Sequence, residues 1–168
     1  MAANSKTPNP TVHFTRTVNA PRQLVYDVWT KAEHLEHWFS PNGFTVHGVE
    51  SDPRPGGIFR LIMRNAEGNG FWSVGKYLEA DPPRRVVVRC GGEAPDGSLM
   101  FEVINTAVFE ERDGKTIIHA TGEVIAIYDP TIADAAIAGM EEGWKQTLDR
   151  FEARLSKVEE QRVQGGKS

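Results

Sequence analysis

His34 and His37 are spaced for chemistry, because side chains three residues apart lie on one face of a helix. Two histidines could begin a metal site, but a complete site needs further ligands. No cysteine and no further histidine lies near them in the sequence. We therefore favour a solvated surface pair, and we predict neither a metal ion nor another cofactor.

Cys90 is the only cysteine, so an internal disulfide is impossible, which suits a reducing cytosol. A nucleophilic thiol would need a nearby cation or helix N-terminus to lower its pKa, and the sequence indicates neither. The motifs of P-loops, α/β-hydrolases and HExxH zinc proteases are also absent from the sequence. We interpret Cys90 as a small buried thiol and predict no catalytic residue.

Asn105 is the polar residue of most interest, because a predicted hairpin places it on an uncharged sheet face. The turn at Asp113-Gly114 pairs Arg112 with Lys115, and the register follows from there. One face then carries the pairs Phe109/Ile118, Ala107/Ala120, Asn105/Gly122 and Val103/Val124, and the opposite face ends with Glu102/Ile125. An amide on the uncharged face needs a protein group, a water or a ligand as its partner.

A long helix is predicted over 131–157 and must cover this face. Its apolar residues recur every three or four positions, at Ile137, Met140, Trp144, Leu148, Phe151 and Leu155. Beside this stripe runs a flank of small residues, Ala136, Gly139 and Gly143. Small residues on both surfaces predict a cavity between the hairpin and the helix.

The rest of the chain reads as short elements separated by turn residues. A strand over 12–18 precedes two short helices within 21–39. Six further strands are predicted near 44–50, 57–64, 70–80, 84–91, 98–111 and 115–127. The predicted fold is α+β with an antiparallel sheet of six or seven strands, formed by one domain over 11–157 between disordered tails at 1–10 and 158–168.

Composition excludes some classes of partner. A net charge of -4 and a pI near 5.7 argue against binding to nucleic acid or an anionic membrane. Residues 1–10 lack the apolar core of a signal peptide, and no segment is long and apolar enough for membrane insertion. We expect a cytoplasmic protein.

An ordered set of motifs resembles a known superfamily. It comprises Ala20-Pro21, Trp38-Phe39, the Pro/Arg turn that ends in Gly56-Gly57, the segment 75–83, and Gly143-Trp144. Over 12–157 the chain is similar to the SRPBCC/START-like helix-grip superfamily. It most resembles bacterial proteins like the C-terminal domain of the heat-shock-protein-90 ATPase activator. The resemblance implies a curved antiparallel sheet around the C-terminal helix, with an internal pocket for apolar molecules. Where a tryptophan often ends one strand in such proteins, this chain has Cys90, which implies a wider pocket.

These observations predict a function. We expect non-catalytic binding of an apolar or aromatic small molecule or lipid, at residues Asn105, Ala107, Ala120, Gly122, Tyr77, Cys90, Met140, Gly143 and Trp144. Leucine at position 107 or 120 should then fill the cavity with little loss of stability. A polyketide cyclase- or hydrolase-like enzyme and a co-chaperone of a heat-shock ATPase are the alternatives. A homodimer and a chaperone partner stay open.

Overall fold

Seven strands and three helices make up the fold. The computed structural model describes residues 9–165, without the side chains of residues 132–136 and 165. The strands are β1 (Thr11–Val18), β2 (Thr45–Ser51), β3 (Ile58–Arg64), β4 (Gly70–Asp81), β5 (Arg85–Glu93), β6 (Leu99–Arg112) and β7 (Lys115–Ile127). The helices are α1 (Arg22–Thr30), α2 (Ala32–Trp38) and α3 (Pro130–Gly165).

The strands form one antiparallel sheet in the order β1-β7-β6-β5-β4-β3-β2. Strands β2 to β7 are sequential neighbours, whereas β1 closes the far edge against β7. This arrangement confirms the predicted α+β fold with two short helices after the first strand.

The β6–β7 hairpin has the register that the Asp113-Gly114 turn predicts. Arg112 pairs with Lys115, and the four pairs predicted for the uncharged face are all present. The pairing predicted for Glu102 is wrong, because Glu102 lies opposite Ala126 and not Ile125. The register shifts between Glu102 and Val103, and the extra residue of this bulge is Ile125 on β7.

Helix α3 is longer than the predicted 131–157. It begins at Pro130 and continues to Gly165, and Val158 packs against the core. Residues 158–164 contain neither glycine nor proline, so nothing in this segment stops the helix before Gly165. The outer parts of the predicted tails, 1–8 and 166–168, lie outside the described residues.

The densest part of the core lies where the C-terminal half of α3 meets α1 and α2. Phe151 is 0% exposed, and its ring lies 5.1 Å from Trp29 and 4.9 Å from Trp38, centroid to centroid. Leu148 and Leu155 are also buried, whereas Met140 and Trp144 are only partly buried. The apolar stripe is therefore fully packed at one end, and its other end borders open space.

No described helix has a stretch apolar enough to cross a membrane.

Candidate functional site: an apolar cavity between the sheet and the long helix

A cavity of about 620 Å³ lies between the sheet and the N-terminal half of α3. Its walls come from five strands, from α3 and from the segment after α2. The lining residues are Phe39, Pro41, Phe44, Met63, Phe71, Ser73, Cys90, Gly91, Met100, Phe101, Val103, Asn105, Val124, Ile127, Ile137, Gly139, Met140, Gly143, Trp144 and Thr147. The volume falls in the range of about 300–1,000 Å³ that is typical of small-molecule sites.

Two glycines of α3 keep the helix wall of the cavity open. A Cβ added at Gly139 would meet no atom within 4 Å, and one at Gly143 would meet only Pro41 Cβ, at 4.0 Å. Glycine in a helix costs about 1 kcal/mol relative to alanine. Because no backbone packs against either glycine, these positions leave volume and do not allow a close helix–sheet approach.

Arg150 fixes the segment from His37 to Phe44 that forms one wall. Its Nη1 donates to the carbonyl oxygens of Ser40 at 3.0 Å and Phe44 at 3.3 Å, and it also contacts Ser40 Oγ. Its Nη2 donates to His37 O at 3.4 Å. Burial lowers the pKa of the Arg150 guanidinium. The guanidinium thus caps the end of α2 and holds Phe39, Pro41 and Phe44 at the cavity.

The described lining residues carry no charge, and their polar side chains are few. Thr147 Oγ1 donates to its own helix at Gly143 O, 2.8 Å away. Burial raises the pKa of the Cys90 thiol to about 11, so the thiol is neutral at pH 7. Asn105 Nδ2 lies 3.9 Å from Cys90 Sγ, at the weak limit of a hydrogen bond. Asn105 Oδ1 is buried and has no partner among the described residues.

Five of the nine predicted site residues line this cavity: Asn105, Cys90, Met140, Gly143 and Trp144. Gly122 lies directly beneath the helix side chains. A Cβ at Gly122 would lie 3.1 Å from both Asn105 Oδ1 and Trp144 Nε1. Glycine here therefore allows close packing of the Trp144 indole on β7.

Ala107 and Ala120 do not line the cavity. They are 1% and 5% exposed and belong to the hydrophobic core. Rings from α1 reach this end of the hairpin, where Tyr26 and Trp29 pack edge-on against Phe109 at 5.9 and 5.6 Å. The open volume lies instead toward Val103 and Val124. The sequence pattern predicts open volume at the alanines, because the pattern does not account for the side chains of α1.

Tyr77 has a structural environment away from the large cavity. Its hydroxyl lies 2.6 Å from Ser51 Oγ, which in turn donates to Thr30 O at 2.5 Å. Burial raises the pKa of Tyr77 well above its usual value. With Asn105 and Trp144 it lines a separate void of about 20 Å³.

Several lining residues were not predicted, chiefly the aromatic residues at the ends of strands. Phe71 and Phe101 point inward, with ring centroids 6.2 Å apart. Strand alternation could have identified Phe71, because its neighbour Trp72 lies on the other face under Arg60, whose Cζ is 3.8 Å from the ring centroid. The same alternation places Phe101 on the face of Val103 and Asn105, so it could have been identified in the same way.

The two histidines of α2 have different surroundings. Arg154 Nε and Nη2 approach His34 Nδ1 at 3.3 and 3.2 Å, whereas His37 is exposed. Within residues 9–131 and 137–164, no group of three or more His, Cys, Asp or Glu side chains is placed to hold a metal ion.

Comparisons with known proteins agree with this architecture. A family model described as Activator of Hsp90 ATPase homolog 1-like protein matches residues 19–156. A search of curated proteins finds no match.

Solved structures with the same fold come from several bacteria. A solution structure of a Staphylococcus epidermidis protein has 27% identity and a TM-score of 0.71, and covers 91% of this chain and 93% of its own. The AHSA1 protein of Silicibacter pomeroyi has 21% identity and a TM-score of 0.74, with coverage of 88% and 99%. A protein from Arthrobacter aurescens has 17% identity and a TM-score of 0.78, with coverage of 89% and 87%.

Proposed function

The chain belongs to the family of Activator of Hsp90 ATPase homolog 1-like proteins, and we propose that it binds an apolar or aromatic small molecule without catalysis. The site is the cavity between the sheet and α3, with Asn105, Cys90, Met140, Gly143 and Trp144 in its wall. The observation that carries this proposal is a cavity of about 620 Å³ whose described lining is uncharged. Such a wall favours an apolar ligand, because each Å² of apolar surface removed from water stabilises the complex by about 25 cal/mol.

The shape of the wall also supports a bound molecule over a collapsed core. Phe71 and Phe101 on the sheet and Trp144 on α3 offer ring surfaces to the cavity, which suits an aromatic or lipid-like body. The packed aromatic cluster at Phe151 and the Arg150 contacts hold the surrounding elements in place. The cavity is thus largely formed before a ligand enters, which limits the entropy cost of binding.

Binding of Nile red, a neutral apolar dye, tests the proposal. We expect its fluorescence to rise on titration with the wild-type protein. Gly143→Leu should strongly weaken binding, because the new side chain occupies the cavity next to Pro41. Ala153→Leu, at an exposed position of the same helix, is the matched control and should bind the dye normally. Equal dye binding by the two variants would contradict the assignment of the site.

Native mass spectrometry of freshly purified protein provides an independent test. A co-purifying apolar compound that is lost in Gly143→Leu would support binding in this cavity. A protein that is empty after purification and fails to bind the dye would overturn the proposal.

The enzyme alternative has less support from the wall chemistry. A cyclase- or hydrolase-like reaction needs a group that can transfer protons near pH 7. The candidates in the described lining are Cys90, which burial keeps protonated, and the neutral side chains of Ser73 and Asn105. Turnover of a polyketide-type substrate that is lost in Ser73→Ala would favour the enzyme.

The family match favours a co-chaperone role as the second candidate. Three partly exposed apolar side chains, Leu99, Ile127 and Tyr128, lie at one end of β6 and β7 and offer contact area for a protein. The test is the ATPase rate of a bacterial Hsp90 with and without this protein. Stimulation that is lost in Tyr128→Ser but kept in Gly143→Leu would favour the surface role. A homodimer and a cytoplasmic location stay predictions.

A further inference from the structure

Asn105 Oδ1 is a hydrogen-bond acceptor that the fold leaves unused. The atom is buried, has no partner among the described residues, and belongs to a side chain that lines the large cavity. Leaving such a group unpaired is unfavourable, because it gives up its hydrogen bonds to water and gains none in the fold. A ligand that donates a hydrogen bond to this oxygen would recover that cost.

A second polar group lies beside the same point. A Cβ built on Gly122 would lie 3.1 Å from Asn105 Oδ1 and also 3.1 Å from Trp144 Nε1, so both atoms border the same point above β7. One accepts and the other donates a hydrogen bond. A hydroxyl group can do both at once, whereas an ether oxygen can only accept and an ammonium group can only donate.

The charge of the wall limits the ligand further. The described lining contains no Lys, Arg or His to pair with an anion, and the guanidinium of Arg150 is already engaged with backbone carbonyls. Burying a carboxylate without a partner would cost several kcal/mol. Fatty acids and other anionic lipids are therefore poorly matched to this cavity.

We propose that the ligand is a neutral alcohol or phenol with an apolar body, whose hydroxyl bonds to Asn105 Oδ1 beside the Trp144 indole. This inference rests on the proposed function and names the chemical class that the same cavity selects. Asn105 is then a specificity-determining residue for the hydroxyl, and the apolar wall contributes most of the affinity.

Binding of three probes of similar size to the wild type and to two single variants tests the inference. The probes are 4-butylphenol, 4-butylanisole and 4-butylbenzoate, titrated by calorimetry at pH 7 into wild-type protein, Asn105→Leu and Thr147→Val. Thr147→Val is the matched control, because it removes a different polar group from the wall, a hydroxyl that already bonds to Gly143 O. Thermal melts confirm that each variant is folded.

We expect the wild type to prefer the phenol over the anisole by roughly threefold to tenfold, the value of one net hydrogen bond. That preference should disappear in Asn105→Leu and persist in Thr147→Val, and the benzoate should bind most weakly in all three.

Failure of this inference and failure of the proposed function would give different results. Phenol and anisole that bind the wild type equally would overturn the inference and leave the proposed function standing. A water in the 20 Å³ void beside Asn105 would then be the partner of Oδ1. If none of the probes binds the wild type, and Nile red also fails to bind, the proposed function falls and the inference with it.

Discussion

The side chain of Asn105 places a hydrogen-bond acceptor in a wall that is mostly apolar. It lies opposite Gly122 on one side and Val88 on the other, in the middle of the sheet. Neither neighbour offers a side-chain donor. The position therefore favours a hydrocarbon side chain for stability, and the proposed contact with a ligand hydroxyl would account for the amide.

Asn105→Leu should make the ligand-free protein more stable, by about 1 kcal/mol in the free energy of unfolding. The substitution removes an unpaired buried oxygen and keeps a similar side-chain shape. Urea denaturation followed by tryptophan fluorescence measures the change. Asn105→Asp is the control and should be destabilised, because it buries a carboxylate. A loss of stability in Asn105→Leu would mean that Oδ1 is hydrogen-bonded in the native protein.

The hairpin alanines give a second prediction at this scale. Ala107→Leu should lower the free energy of unfolding by about 1–3 kcal/mol, because Ala107 lies in the packed core opposite Val86 and Ala120. Val103→Leu adds a methylene that points into the cavity and should change stability little. Thermal and urea unfolding of the pair measure the difference. Equal costs at the two positions would show that the cavity does not extend to Val103.

Two arginines, one helical turn apart on α3, connect this helix to α2 and to the segment that follows α2. Arg150 bonds to the backbone of the segment after α2, and Arg154 bonds to His34 on α2 itself. The first contact shapes the cavity wall, whereas the second holds the packed end of the helix. Each can be disturbed separately.

Arg150→Gln should loosen the segment from His37 to Phe44. Its carbonyl groups lose a charged donor, and hydrogen bonds to charged groups are worth about 1.5–3 kcal/mol each. Hydrogen exchange of residues 39–44 should accelerate, and Nile red affinity should fall as the wall becomes mobile. Arg154→Gln is the control on the next turn, and it should leave exchange in this segment unchanged.

His34 should make stability depend on pH. Burial lowers the pKa of His34 in the folded protein below about 6.5, and the nearby Arg154 guanidinium lowers it further. The carboxylates of Glu33 and Asp27 raise this pKa, but they only partly oppose the decrease. The unfolded chain therefore binds the proton first as the pH falls. The free energy of unfolding should decrease as pH drops from 6.5 toward the folded pKa, and the His34 contribution should be constant above 6.5.

Urea denaturation between pH 5 and pH 8 measures this effect. His34→Gln should reduce the slope below pH 6.5, since the titrating group is gone. His37→Gln, an exposed histidine on the same helix, is the matched control. If both variants keep the wild-type slope, other groups determine the acid sensitivity.

At the scale of the whole molecule, one half of the space between the sheet and α3 is packed and the other half is open. The aromatic cluster of Trp29, Trp38, Phe109 and Phe151 fills the first half. On the β1 side, Arg16 Nη1 joins the sheet to α3 through Asp149 at 2.7 Å and Glu152 at 2.6 Å. The packed half thus carries the stability, and the open half is available for a ligand.

Phe151→Ala should destabilise the whole domain by about 3–5 kcal/mol, a large share of the 5–15 kcal/mol typical of native proteins. Phe101→Ala should cost clearly less, because its ring borders the cavity and is only partly buried. Urea denaturation of both variants compares them. A similar cost at both positions would contradict the division into a packed half and an open half.

Much of the fold follows from local patterns. The Asp113-Gly114 turn determines the hairpin register, because two-residue turns allow one pairing of the flanking strands. The spacing of Leu148, Phe151 and Leu155 determines which face of α3 is buried, since residues three and four apart share a face. The ordered motifs also indicated the family that the model match over 19–156 confirms.

The location of the cavity depended on tertiary structure. Whether the space above a small residue is filled depends on side chains that arrive from distant parts of the chain. Rings from α1 pack on Phe109 next to Ala107, whereas Arg150 holds Phe39, Pro41 and Phe44 around the volume near Val103. Sequence spacing determines which face a residue occupies, but only the packed arrangement of α1, α2 and α3 decides which part of that face stays open.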